Sequence, residues 1–302
     1  MKDKKIIINK FVVAAAFLFA FAMVLFPEVT EEGSKAAIII WANSIVPVLL
    51  PFFIFSDFIK RTGDLQKLPP RIYPFVMALL SGYPMGAKVV GDYVKEERLL
   101  LEEGKWVLSY SMVTGPAFIL FTIGEFIGSS KGAVIVAIAH YLGGLLNGIF
   151  YININRTKKI STRIKFVPKG DYLENFTYAI TGGFKAMAII LAYLIMFTIG
   201  INLLDKAGLF DMISNNTLCA CIKGFFEMTV GINQMGMCNI GINMKVVLAS
   251  MMVSFGGMSI VGQSASMARK SGIGIKDIFT MKATHGIIAA IVAVILVNFV
   301  VL

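Results

Sequence analysis

Long apolar segments constrain this chain more than any other feature of its sequence. A membrane-spanning helix needs about 20 mostly apolar residues, and seven segments qualify: residues 11–27, 36–59, 107–128, 133–152, 182–204, 246–268 and 283–302. The sequence is 57% hydrophobic and 15% charged, which is too apolar for a soluble domain of 302 residues. We therefore predict an all-α polytopic membrane protein, a single integral domain surrounded by the lipid bilayer.

Two further apolar stretches, residues 74–94 and 218–243, are too short or too rich in glycine for ordinary spans. The first contains the sequence Ser-Gly-Tyr-Pro-Met-Gly-Ala-Lys at residues 81–88. Proline removes a backbone donor and clashes one turn back, so the helix must be interrupted here. In lipid, the freed backbone groups are tolerated only inside protein or beside a polar cavity. Both stretches therefore predict re-entrant helical hairpins, and the first predicts a binding site.

The formal charge of +10 is explained by topology rather than by nucleic-acid binding. If the amino terminus is cytoplasmic and both broken stretches are re-entrant, every basic cluster falls on the cytoplasmic face. These clusters are Lys2, Lys4, Lys5 and Lys10; Lys60, Arg61, Lys67 and Arg71; Lys95, Arg98 and Lys105; Arg156, Lys158, Lys159, Arg163, Lys165 and Lys169; Arg269, Lys270, Lys276 and Lys282. The carboxyl terminus is then outside. A cleaved signal peptide is the competing interpretation of residues 1–27, but no soluble domain follows it.

The order of segments repeats along the chain. After an extra first span in residues 1–35, residues 36–152 form one unit and residues 180–302 a second, with a basic cytoplasmic loop at 153–179 between them. Each unit has a span, a broken stretch, a span interrupted by glycine, and a plain final span. Three spans per unit is an odd number, so the second unit is predicted to be inverted. Hairpins that enter from opposite faces are typical of transporters.

Few ionisable residues lie at membrane depth, where each costs about 2.5 to 3.5 kcal/mol on insertion scales. Lys88 either extends to the cytoplasmic face or helps to bind an anionic substrate beside loosened backbone amides. Glu227 is either a hydrogen-bonded buried carboxylate or a coupling group for protons or cations. His140 and His285 occupy matching places in the two units, where they either bond across helices or relay protons.

Neutral groups at the breaks complete the predicted binding site. Thr114, Ser259 and Gln263 are either ligands for a small polar molecule or helix-breaking residues without a substrate role. The full set of predicted substrate-binding residues is Ser81, Gly82, Tyr83, Pro84, Gly86, Lys88, Thr114, Gly115, Glu227, Thr229, Gly256, Gly257, Ser259 and Gln263.

No enzyme signature is present in the sequence. There is no Gly-x-x-x-x-Gly-Lys loop, no His-Glu-x-x-His and no nucleophile elbow, so we predict neither an enzyme nor a bound cofactor. The three cysteines, Cys219, Cys221 and Cys238, have no histidine partner nearby and predict no metal site.

Five motifs carry a resemblance to a known family. They are Ser-Gly-Tyr-Pro-Met-Gly-Ala-Lys at 81–88, Thr-Gly-Pro at 114–116, His-Tyr-Leu-Gly at 140–143, Gly-Phe-Phe-Glu at 224–227 and Phe-Gly-Gly at 255–257. With them, the chain resembles the sporulation integral membrane protein YlbJ family over most of residues 36–302. That family is similar to the nucleoside-recognition or gate-domain proteins, which include concentrative nucleoside transporters and the membrane part of ferrous iron transporters.

The resemblance implies a role in endospore formation. It implies a place in the mother-cell-derived membrane around the forespore and transport of dipicolinic acid, a flat aromatic dianion that Lys88 and the hairpin amides would suit. The alternatives are a nucleoside or metal-ion permease on the same scaffold, or a non-transporting membrane scaffold. Homo-oligomers and other sporulation membrane proteins are possible partners.

Overall fold

The computed structural model describes residues 2–62, 68–154 and 171–300. Every regular element in these ranges is a helix. The α-helices are α1 Lys2–Leu25, α2 Pro27–Ile40, α3 Val46–Thr62, α4 Tyr73–Ser81, α5 Tyr83–Lys95, α6 Leu101–Ser111, α7 Gly124–Ile127, α8 Ser130–Ile154, α9 Tyr172–Lys206, α10 Asn216–Phe226, α11 Met228–Met237, α12 Ile242–Phe255, α13 Gly257–Ala268 and α14 Ile275–Phe299. The predicted basic side chains from Arg156 to Lys169 lie outside the described residues, as do Lys67 and the terminal Leu302.

Four helical segments are long and apolar enough to span a membrane: Ser130–Ile152, Tyr172–Lys206, Ile242–Ala268 and Ile275–Phe299. A fifth candidate is the pair Lys10–Leu25 and Pro27–Ile45, which bends by 101°. The α-helical membrane class is confirmed, but within the described residues the count is four or five rather than the predicted seven. The difference arises in the first half of the chain, where proline, glycine and π-helical turns divide the apolar segments.

Two predicted spans in the first half are divided. The segment at 36–59 contains the π-helical turn Trp41–Ile45, and Pro51 lies inside the helix that follows it. The segment at 107–128 loses helical structure at residues 112–115, just before Pro116, and continues as the π-helical turn Phe118–Ile123. A helix seldom continues into a residue that precedes proline, because the ring crowds that residue's backbone.

The stretch at 74–94 folds back on itself as two short helices, α4 and α5, joined at Gly82. The close approach of the arms shows at Gly86, where an added Cβ would lie 3.0 Å from the Cβ of Ala78. We call this pair the first hairpin. The interruption predicted at this stretch is confirmed.

The stretch at 218–243 forms a second hairpin from α10 and α11, which meet at Glu227. Its arms touch through glycine: a Cβ on Gly231 would lie 2.2 Å from the Cα of Gly224. Small residues of this kind allow helix backbones to approach closely. Gly224 and Gly231 therefore set the separation of the two arms.

Each hairpin is followed by a broken helix and then by a long one. The first break separates α6 from the turn that precedes α7. The second separates α12 from α13 at Gly256 and Gly257, both of which have positive φ angles. The predicted glycine breaks are thus present, and α8 and α14 are the plain helices that follow them. Helix α9 begins at Tyr172, where Asp171 caps it by accepting from the Glu174 N–H at 2.7 Å.

Candidate functional site

A small cavity lies where the tips of the two hairpins meet, and its volume is about 40 Å3. The first hairpin contributes Gly82 and Tyr83, and the second contributes Glu227, Met228 and Thr229. The other lining residues come from α3 and the turn before it, the first helix break and the turn after it, α9 and α13: Ile45, Leu49, Thr114, Phe118, Ile190, Leu194, Ile260 and Gln263. A water molecule needs roughly 10 to 15 Å3 of such space, so the cavity holds a few waters rather than an aromatic ligand.

The tip of the first hairpin depends on a backbone conformation that only glycine readily adopts. Gly82 has φ +87° and ψ −178°, a combination essentially restricted to glycine. The turn places Tyr83 in the cavity wall, and the Tyr83 hydroxyl donates to the carbonyl oxygen of Val253. This hydrogen bond therefore links the first hairpin to α12, near the second helix break.

The tip of the second hairpin is ordered by the carboxylate of Glu227, which is buried. One oxygen accepts from the Val230 N–H at 2.9 Å, and the other from the Thr229 hydroxyl at 3.2 Å. Glu227 is thus the N-cap of α11, and such a cap satisfies a backbone donor that the first helical turn leaves unpaired. The one acidic group in the cavity lining has a structural role that sequence reasoning had left open.

The first helix break is held by side chains from the long helices. The Thr114 N–H donates to His140 Nε2 at 3.0 Å, and the Thr114 carbonyl accepts from the Tyr141 hydroxyl at 3.0 Å. Lys282 on α14 donates to the carbonyl oxygen of Met112 at 3.2 Å. These three backbone groups of the break are therefore bonded within the protein, as apolar surroundings require.

His140 and His285 stack with ring centroids 4.9 Å apart. His285 Nε2 lies 2.8 Å from the carbonyl oxygen of His140, and His140 Nδ1 lies 2.8 Å from the Ser254 hydroxyl. Because the Thr114 N–H donates to Nε2, the proton of a neutral His140 belongs on Nδ1. Both histidines therefore bond across helices, which was one of the two interpretations of the sequence.

Lys88 lies away from the cavity lining. Its ammonium nitrogen is 3.4 Å from Asp57 Oδ1, and Arg61 Nε is 3.0 Å from the other oxygen of the same carboxylate. Asp57 is buried, and both of its cationic partners are partly exposed. Lys88 is therefore part of an ion-pair cluster between α3 and α5.

Six of the predicted binding residues line the cavity: Gly82, Tyr83, Thr114, Glu227, Thr229 and Gln263. The lining does not include Ser81, Gly86, Lys88, Gly115, Gly256, Gly257 or Ser259, and the Pro84 side chain lies outside the described part of the chain. Two of these residues pack behind the hairpin tips that line the cavity. The Ser81 hydroxyl bonds to that of Ser56 at 2.6 Å behind the first tip, and an added Cβ at Gly257 would lie 3.0 Å from the carbonyl oxygen of Phe226 at the second.

Gln263 is distinctive among the lining residues. Its Nε2 donates to the Ser259 hydroxyl at 3.1 Å, whereas its buried Oε1 has no hydrogen-bond partner within the described ranges. Most buried polar atoms are paired, so an unpaired one at a cavity indicates a place for a ligand or for water. Gln263 can accept a hydrogen bond from a bound molecule.

Sequence reasoning missed two parts of this region. The apolar wall from Ile190 and Leu194 of α9 has no distinguishing signal, because such residues also fill ordinary spans. Lys282 was assigned to the cytoplasmic basic cluster, but its side chain is fully buried. The spacing to His285 was the available signal, since residues three apart lie on one face of a helix.

In residues 2–62, 68–154 and 171–300, no group of three or more histidine, cysteine, aspartate or glutamate side chains could hold a metal ion. The three cysteines are not disulfide-bonded.

Comparisons with known proteins agree with the motifs. No protein-family model and no solved structure matches the chain. The chain is 25% identical over 342 aligned residues to the sporulation integral membrane protein YlbJ of Bacillus subtilis (strain 168), and the alignment covers 96% of this chain and 83% of that protein. This similarity extends over nearly the whole chain and supports the resemblance to the YlbJ family that the motifs had indicated.

Proposed function

We propose that this protein is a transporter of a small organic anion, with dipicolinic acid as its substrate during endospore formation. The observation that carries the proposal is the shared cavity, in which the tips of both hairpins meet beside the first helix break. Interrupted helices that converge on one site are typical of secondary transporters. The similarity to a sporulation membrane protein supports the cellular setting.

We further propose that the two halves are inverted repeats with two re-entrant hairpins, and that the shorter or divided segments at 11–27, 36–59 and 107–128 also cross the membrane to give seven spans. The succession of hairpin, broken helix and long helix in each half supports this arrangement. It requires the amino terminus to be cytoplasmic and the carboxyl terminus to be outside. A reporter fused after Leu302 should therefore be active only outside the cytoplasm, and a cytoplasmic signal would contradict the inverted arrangement.

Substrate entry requires movement of the hairpins in this proposal. The cavity of about 40 Å3 is too small for an aromatic dicarboxylate, so the tips must separate to admit one. The polar lining groups available to the substrate are Thr114, Thr229 and Gln263. We propose them as substrate contacts, and we propose that the protein acts without an enzymatic step or cofactor.

Glu227 favours a second candidate function. An acidic group in the lining suits a neutral or cationic substrate better than an anion, and the unpaired amide oxygen of Gln263 suits a donor such as a nucleoside N–H. A nucleoside permease on the same scaffold is therefore the alternative. A metal-ion permease, and a scaffold that assembles as an oligomer or with other sporulation membrane proteins, have no specific observation in their favour.

The deciding experiment compares spores with and without the gene. Deletion in the sporulating host should lower spore dipicolinate at least tenfold, and the wild-type gene should restore it. Purified protein in liposomes should take up labelled dipicolinate faster than labelled uridine. Normal dipicolinate in deletion spores would overturn the proposed substrate, and preferential uptake of uridine would favour the nucleoside permease. A tagged protein should localise to the membrane around the forespore.

A further inference from the structure

Lys282 on α14 differs from the other buried cations of this protein. Its side chain has no solvent exposure, and its ammonium nitrogen donates to the Met112 carbonyl oxygen at 3.2 Å. In the part of the chain that the structure describes, no carboxylate oxygen lies within 4.0 Å of this nitrogen. A lysine buried in this way within a membrane protein is costly and marks a functional position by default.

Three other cations, each more exposed than Lys282, have a carboxylate partner. Lys88 has the carboxylate of Asp57 at 3.4 Å, Arg71 has that of Glu103 at 2.6 Å, and Lys223 has that of Asp205 at 3.2 Å. Each of these pairs brings opposite charges together. Lys282 has only the dipole of a carbonyl group and the face of an aromatic ring.

The groups around Lys282 bring no formal negative charge. Its nitrogen lies 4.2 Å from the centroid of the Tyr83 ring on α5. His285 follows one turn later on the same helix, and His140 stacks against His285 from α8. From α12, Ser254 bonds to His140. The surroundings supply hydrogen bonds and aromatic faces, so the charge of an ammonium group at this position is not neutralised locally.

Lys282 lies directly behind the wall of the shared cavity. Tyr83, whose ring it faces, lines that cavity, and Met112 precedes the lining residue Thr114 at the same helix break. Charges act over longer distances in the protein interior than in water because they are screened less. A positive charge at Lys282 therefore raises the potential inside the cavity, opposite to the effect of Glu227.

We propose that Lys282 is the positive charge that allows the cavity to select a small carboxylate anion. Lys282 faces the Tyr83 ring rather than the cavity, so it is a positioning residue that does not contact the substrate. Lys88 is paired with Asp57 and lies outside the lining. This inference rests on the proposed transport function, because the anion is the substrate of that site. It assigns to α14 a role that the sequence had given to Lys88.

Two substitutions separate charge from hydrogen bonding. Lys282→Met keeps an unbranched side chain and removes both the charge and the donor, whereas Lys282→Gln removes the charge and keeps an N–H donor for the Met112 carbonyl. Lys245→Met is the matched control, because Lys245 also donates to a backbone carbonyl, that of Gly236 at 2.5 Å, but lies away from the cavity lining. Each protein is reconstituted in liposomes after a check for monodispersity, and uptake of labelled dipicolinate and labelled uridine is measured.

Both Lys282 variants should raise the KM for dipicolinate at least tenfold, and Lys245→Met should stay within twofold of wild type. A wild-type KM in Lys282→Gln would overturn the inference, because the hydrogen bond and not the charge would then be sufficient. Dipicolinate uptake that neither variant alters would overturn the role of Lys282 and leave the proposed function intact. Uptake of uridine but not dipicolinate by the wild type would overturn both.

A competition measurement on the wild type covers the case in which neither variant is monodisperse. Dipicolinate should inhibit its own labelled uptake at a concentration at least tenfold lower than its uncharged diamide, which has the same shape. Equal inhibition by the two compounds would overturn selection by charge.

Discussion

The two hairpins reach the same cavity with different chemistry at their tips. The first turns at Gly82, in a conformation that requires the absence of a side chain. The second turns at Glu227, whose backbone is extended and whose carboxylate caps the returning helix. Both pairs of arms pack through glycine, at Gly86 in the first hairpin and at Gly224 and Gly231 in the second.

This difference shows that similar hairpins need not contribute equally to a site. Among the described residues at the tip of the first hairpin, Gly82 and Tyr83 line the cavity, whereas the second tip adds a carboxylate and a hydroxyl. Any positive charge near the cavity must then come from elsewhere in the fold. In this structure the candidate is Lys282 on α14, behind Tyr83.

Stability should depend most strongly on the close packing of the two arms of the second hairpin. Gly231→Val places a Cβ 2.2 Å from the Cα of Gly224 and 2.8 Å from the carbonyl oxygen of Ala220. Backbone atoms cannot move aside as a flexible side chain does, so we expect a loss of roughly 3 kcal/mol or more, at the upper end of overpacking. Size-exclusion chromatography in detergent should show little monodisperse protein. Gly241→Val, where an added Cβ has nothing within 4 Å, should behave as wild type, and a stable Gly231→Val would refute the packing of these arms.

The tip of the first hairpin should tolerate even a methyl group poorly. Gly82→Ala forces alanine into a conformation with φ +87° and ψ −178°, which costs about 1 to 3 kcal/mol. Thermal unfolding in detergent should show a lower midpoint than wild type, although the space around Gly82 has no contact closer than 3.8 Å. Equal midpoints for Gly82→Ala and wild type would mean that this tip is not constrained by its backbone.

The stability of the second hairpin tip should depend on the Glu227 side chain instead. Glu227→Ala removes the cap of α11 and should cost about 1 kcal/mol, whereas Glu227→Gln keeps an oxygen for the Val230 N–H and should cost less. The two variants also separate the cap from the charge. If the carboxylate opposes an anionic substrate, Glu227→Gln should lower the KM for dipicolinate in liposomes, and an increase would indicate that its negative charge assists transport.

Substitution of Lys88 should change stability and transport less than substitution at the other positions. In Lys88→Met, the buried carboxylate of Asp57 keeps Arg61 at 3.0 Å, and partly exposed ion pairs contribute about 0 to 1 kcal/mol. We expect a small change in the thermal midpoint and a KM for dipicolinate within threefold of wild type. Complete loss of uptake in a monodisperse Lys88→Met protein would restore the direct substrate contact predicted from the sequence.

Much of the local structure was predictable because it follows from backbone chemistry. Proline and glycine near residues 82, 115 and 256 predicted three helix interruptions, and all three are present. The number of spans was not predictable in the same way. Residues 36–59 satisfy the length and hydropathy of a span, yet the helix contains a π-helical turn at Trp41–Ile45, which depends on packing rather than on composition.

The membrane class, the helix interruptions and the residues available at each tip follow from the sequence alone. Which of those residues share a cavity depends on how distant helices pack, and this is seen in the folded structure. It placed Lys88 beside Asp57 and Lys282 behind Tyr83. A sequence gives the spacing of charges along one helix, whereas the neighbours that neutralise a charge belong to other helices.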